Sequence, residues 1–173
     1  MTVAAFSFLG IVLFMIHEFD EIIFVRAWIK ACKDSRNVSD IWNRSGDKVY
    51  PSTAALALMI AEEFILLSIL FGLCILFEWP EFAAGIIIAY ALHLFGHLAE
   101  AAKSKRWSPG APTAAATLPL IAVLILMLAA ANPFDPLRIL PAAVLTALIL
   151  LFNIIMLHKA APRMQKFIDS VYN

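Results

Sequence analysis

The sequence predicts an all-α fold, a polytopic transmembrane helical bundle of five spans, on three observations. The 173 residues are 62% hydrophobic and only 15% charged, against about 45–50% apolar and about 25% charged in soluble domains. The apolar residues gather into runs of membrane-spanning length. Clusters of Pro, Gly, Asn and Asp separate those runs. A single bundle over residues 1–173 is the expected domain organisation at this length. Net charge is zero, and no basic tract suits nucleic acid.

The elements follow in chain order, with spans expected at about 3–30, 52–77, 82–104, 113–131 and 138–161. The first run lacks a basic n-region and a small-residue cleavage site, so it reads as a retained helix. Pro51-Ser52-Thr53 starts the second helix with polar capping groups. Glu78-Trp79-Pro80-Glu81 forms a tight turn before the third. Ser108-Pro109-Gly110-Ala111-Pro112 separates the third from the fourth, and Asn132-Pro133-Phe134-Asp135-Pro136 the fourth from the fifth. Pro119 and Pro141 fall inside apolar runs, where neighbouring helices tolerate a kink. Cys32 and Cys74 fall in different environments and predict neither a disulfide nor a metal motif.

Positive charge sets the expected orientation. Lys30, Lys33, Arg36, Arg44 and Lys48 flank or fill the first loop. Lys103, Lys105 and Arg106 end the third helix, and Lys159, Arg163 and Lys166 follow the fifth. The opposite connections hold only Arg138. This bias places the N-terminus outside and the C-terminus in the cytoplasm. The 159–173 tail mixes those bases with Met164, Phe167, Ile168, Val171 and Tyr172, and is expected to lie on the cytoplasmic surface as an amphipathic segment.

Polar groups interrupt three of these runs: His17-Glu18-Phe19-Asp20-Glu21, Glu62-Glu63, and His93-x-x-x-His97-x-x-Glu100. Each ionisable group within a span costs roughly 2.5–3.5 kcal/mol to insert. No lysine lies among them, and Arg26 is too distant to neutralise more than one. At about 1.5 Å per residue, His17 lies roughly 21 Å and His97 roughly 22 Å from the outer face, and Glu62 roughly 15 Å from the inner face. In a core about 30 Å thick, the three clusters therefore share a level between the midplane and the cytoplasmic side. His93, His97 and Glu100 span an arc of roughly 60° on one side of their helix. His17, Asp20 and Glu21 span roughly 100° on theirs.

Imidazole nitrogen with carboxylate oxygen suits zinc, iron or manganese, whereas magnesium and calcium prefer oxygen alone. The expected metal ligands are His17, Glu21, Glu62, His93, His97 and Glu100, with Glu62 preferred to Glu63 as the inward group. Asp20 and Glu63 are the expected base or ligand-supporting partners. The cofactor is a divalent ion, zinc or iron, in a mononuclear or dinuclear centre. The di-iron bundles use Glu-x-x-His, the reverse of His17-x-x-Asp20 and His97-x-x-Glu100. A zinc site with one open position would hold water made acidic by the ion, with a spare glutamate as base. So many carboxylates disfavour bis-histidine haem. Asn153 reaches the same depth as a hydrogen-bond donor to a ligand or as a polar helix contact.

The helix-one motif His17-Glu18-Phe19-Asp20-Glu21 resembles the signature of HXXEE, a family of small bacterial multi-pass membrane proteins. The name describes a histidine followed by two acids at the third and fourth positions after it. His17, Asp20 and Glu21 match those positions, and Asp20 departs from the glutamate of the name. Chain size and the polar interruptions of later helices are also similar to that family. The resemblance implies an intramembrane site, a location in the bacterial inner (cytoplasmic) membrane, and no particular reaction.

Two functions fit these residues. The first is a metal-dependent enzyme acting on a lipid or other apolar substrate, by hydrolysis or by oxygen chemistry. The second is a transporter or channel for divalent metal or protons, using the same carboxylates transiently; five spans without repeat symmetry count against it. A purely structural subunit leaves the buried acids without a rationale. Expected partners are membrane lipid and an apolar small molecule, with self-association open and no nucleic acid.

Overall fold

A computed structural model describes residues 1–32, 51–133 and 135–171. The loop bases Lys33, Arg36, Arg44 and Lys48, together with Phe134 and Tyr172, lie outside the described residues. Five helices follow one another: α1 Val3–Cys32, α2 Thr53–Leu76, α3 Pro80–Ser104, α4 Ala111–Ala131 and α5 Pro136–Val171. Local chemistry marks their ends. The Ser52 hydroxyl caps α2 by accepting from the Ala55 amide at 3.1 Å. Pro80 occupies the first turn of α3, where its missing N–H is harmless. Lys105 closes α3 in the left-handed conformation, φ 53°.

Four helices, α2 to α5, are long and apolar enough to cross a membrane. Their outer faces carry large exposed apolar side chains, among them Ile65, Ile69, Leu126 and Phe152. α1 has an exposed apolar face too, through Phe8, Ile16, Phe19 and Ile23. An apolar exterior of this extent is the inverse of a soluble surface.

α3 is the hub. It packs against all four other helices, while contacts between α4 and α1, α1 and α2, and α2 and α5 form a chain around it. The core of this assembly joins Phe6 and Phe14 of α1, Phe71 of α2, Ile87 and Leu94 of α3, and Leu128 of α4. α5 approaches α3 closely where Gly85 faces Ala142 and Ala143. Small residues there let two backbones meet, the usual means of association between apolar helices. At the end remote from the histidines, Asn132 Nδ2 donates to the Met1 carbonyl at 3.1 Å and the Asp135 amide donates to Glu81 at 3.2 Å.

One element departs from the sequence expectation. The fifth helix does not end near residue 161: α5 continues through Pro162 to Val171 as one helix of 36 residues. That is about 54 Å of helix, well beyond the ~30 Å of a hydrocarbon core. Past Pro162, Gln165 Nε2 donates to Asp169 Oδ1 four residues on at 2.8 Å, supporting the last turns.

The Gly85 contact yields a paired prediction. A Cβ there would sit 2.8 Å from the Ala143 amide nitrogen, whereas one at Gly96 would meet nothing within 4 Å. Gly85→Ala should destabilise the folded protein by about 1–3 kcal/mol. Gly96→Ala should leave stability unchanged or raise it by up to about 1 kcal/mol through helix propensity. Thermal unfolding of both variants in one detergent checks the opposite signs.

Candidate metal centre

Two helices each present a pair of ligand-type side chains one turn apart. In α1 the pair is His17 and Glu21; in α3 it is His93 and His97. Spacing of four residues stacks both members on one face, so each helix offers two donors to its neighbour. One ligand atom from each of the four residues lies within 4.8 Å of all the others. Glu21 Oε1 is 2.9 Å from His97 Nε2 and 3.7 Å from His17 Nε2. His93 Nε2 lies 3.0 Å from His97 Nε2. A tetrahedral ion with bonds of about 2.0–2.1 Å to nitrogen sets its ligands about 3.3 Å apart. The observed separations straddle that spacing.

The orientation of the polar atoms is as telling as their distances. His17 is fully buried and Glu21 nearly so, yet His17 Nε2 and Glu21 Oε1 have no hydrogen-bond partner. The 2.9 Å approach of His97 to Glu21 is short enough for an ion pair. It lies off the N–H direction, however, so Glu21 Oε1 still lacks a hydrogen bond. Buried acceptors are ordinarily satisfied. A cation between them would satisfy both His17 Nε2 and Glu21 Oε1.

α4 fixes this arrangement from above. His17 Nδ1 lies 3.0 Å from the Thr113 hydroxyl. That hydroxyl donates either to Asp20 Oδ2 at 3.1 Å or to the Gly110 carbonyl at 3.0 Å. With its single proton so used, Thr113 Oγ1 accepts from His17 Nδ1–H. This leaves the Nε2 lone pair free and turned to the centre, as in metal sites where a carboxylate holds a histidine in one tautomer. Asp20 also accepts from the Gly110 amide at 2.8 Å, tying the start of α4 to α1. Gly110 has φ 82°, and a Cβ there would lie 2.7 Å from His97 Nδ1 and 3.0 Å from His17 Cε1. Only glycine allows the backbone to sit against both rings in that conformation.

The remaining expected residues take other places. Glu62 is outside the four-residue group; its Oε2 accepts from Asn153 Nδ2 of α5 at 2.8 Å. Glu63, one residue and about 100° further round α2, instead lines a cavity of about 320 Å³ together with Glu18, Tyr90 and His93. Glu100 flanks the centre beside Glu21 and His97, at a gap of about 10 Å³ also bordered by Ser108. Such a gap approaches the size needed for one water. Asp20 acts on His17 through Thr113 and is not itself among the four. Sequence reasoning missed Thr113 and Gly110. The only sequence signal for them was the Ser108–Pro112 helix break, which says where the chain turns and nothing of what it touches.

The donor set, three imidazoles and one carboxylate, could hold a metal ion. His93 is the accessible member; the other three are buried.

The sequence model of a family described as "Protein of unknown function with HXXEE motif" matches residues 8–125. That span contains all four ligand-type residues and the Gly110–Thr113 cover. No curated protein and no solved structure matches the chain.

Thr113→Val keeps the side-chain shape and removes the hydroxyl that orients His17. It should weaken retention of a divalent ion by about 10–100-fold, read by chelator competition on the purified protein. Unaltered thermal unfolding would separate this effect from misfolding.

Proposed function

The chain belongs to the HXXEE family, and from that premise we propose that it is a metal-dependent membrane enzyme acting on a lipid or other apolar substrate. His17, Glu21, His93 and His97 hold the ion. The single observation that carries this reading is the junction of two features at His93, which belongs to the four-residue group and also lines the apolar cavity. A binding site for small molecules is characteristically an apolar cavity with a few convergent polar groups. Here those polar groups adjoin the ion's ligands.

In this reading α1 is a fifth span, with its exposed apolar face against lipid. The N-terminus lies outside and the centre in the cytoplasmic half of the bilayer, following the bias of Lys and Arg. The membrane is the bacterial inner membrane. Zinc would supply Lewis-acid chemistry for hydrolysis, and iron oxygen chemistry; an N₃O donor set accommodates either. Glu63 faces the substrate cavity and is placed to act as general base. Asp20 is a positioning residue, because it reaches His17 only through Thr113. Glu100 borders the small gap beside Glu21 and His97, whose other walls are Val25, Trp28, Ile29, Ser108 and Pro109.

Elemental analysis after detergent purification and dialysis tests this. The enzyme reading predicts a tightly retained divalent ion, abolished in His97→Ala and preserved in Glu62→Gln. Loss of metal on dialysis together with uptake into liposomes would favour a transporter instead. Normal metal content in His97→Ala would count against the centre altogether.

A further inference from the structure

The geometry points to a recognition site in which Glu18 and Glu63 hold the ammonium head of a single-chain amphiphile, with its tail in the apolar cavity beside His93. The orientation of that head toward the metal centre rests on the function proposed above. The recognition of an amine by the two carboxylates does not.

The argument begins with Glu18. Its side chain is 4% exposed, lines the cavity, and has no hydrogen-bond or ion-pair partner among the described residues. Glu63 enters the same cavity from α2 and is equally without one. No lysine or arginine borders the space. The Tyr90 hydroxyl cannot serve them, since it donates to the Leu13 carbonyl at 3.3 Å. Two carboxylates are acceptor-only groups, and in an apolar setting each left unmatched is costly. A positively charged donor would satisfy both at once.

The rest of the cavity says what kind of donor. Apart from Glu18, Glu63, His93 and Tyr90, its walls are aliphatic or aromatic. A volume of about 320 Å³ has room for about ten groups the size of a water or a methylene. A second metal ion would match the carboxylates and leave that apolar volume unfilled. An alkylammonium ion fills both parts: three N–H donors and a charge at one end, a chain at the other. An alcohol offers one donor and no charge, and a fatty acid is repelled. Leu92 and Leu151, exposed at the cavity wall, give an apolar route of entry.

Native mass spectrometry of the full chain in detergent tests this with three probes of one length: decylamine, decanol and decanoate. The expected result is one decylamine bound per chain, at least about tenfold tighter than decanol, with decanoate weakest. Combined Glu18→Gln and Glu63→Gln should reduce decylamine to the decanol level. Ala147→Trp, which fills the cavity from α5, should abolish binding of both. Equal binding of amine and alcohol by the natural protein overturns the proposal, whether or not any variant folds. So does a preference for amine that survives both glutamine substitutions. Loss of one metal equivalent in the glutamine variant, with no amine preference in the natural protein, would overturn it in favour of a second metal. Metal content measured in the same samples keeps the two readings apart: amine selectivity in a metal-free protein would sink the enzyme proposal and support this one.

Discussion

Everything distinctive about this bundle depends on how it accommodates four electron-rich side chains at the seam between α1 and α3. Imidazole lone pairs and a carboxylate placed within 4.8 Å of one another, inside an apolar bundle, repel unless something positive lies between them. The group consists of three histidines and one glutamate. The fold therefore carries a local cost that only a cation or a set of protons can offset. The neighbouring helices reinforce the gathering of these groups.

The cover over the centre is the clearest instance of that reinforcement. α4 begins with a glycine in a left-handed conformation against two histidine rings, and its first amide is held by Asp20. The same carboxylate receives the Thr113 hydroxyl, which in turn fixes the tautomer of His17. A single acid on α1 thus seats the next-but-two helix and aims a ligand. On the opposite flank there is no such cover. His93 faces a roomy apolar cavity with two glutamates in its wall, so the centre is closed on one side and approachable on the other.

Much of this was legible in the chain. Helix ends came within two residues of expectation except at the end of α5, because Pro, Gly and capping residues stop helices by local means. The approach of the α1 and α3 clusters followed from depth, since depth follows from rise per residue, but the expected ligand set also held Glu62 and Glu100, which stand outside the four-residue group. What escaped was rotation about the helix axis. Glu62 and Glu63 differ by about 100°, and nothing local says which will face α5 and which the cavity; the structure gives Glu62 to Asn153. Glu18 lies beside His17 in sequence yet faces a different space. Thr113 and Gly110 escaped for another reason: their partners are some ninety residues away, on α1.

X-ray absorption at the edge of whatever metal copurifies addresses the central claim most directly. The account predicts about four nitrogen or oxygen neighbours near 2.0–2.1 Å, with the outer-shell scattering of three imidazole rings and no sulfur. A spectrum with no imidazole scattering, or one of a fully hydrated ion, would contradict it.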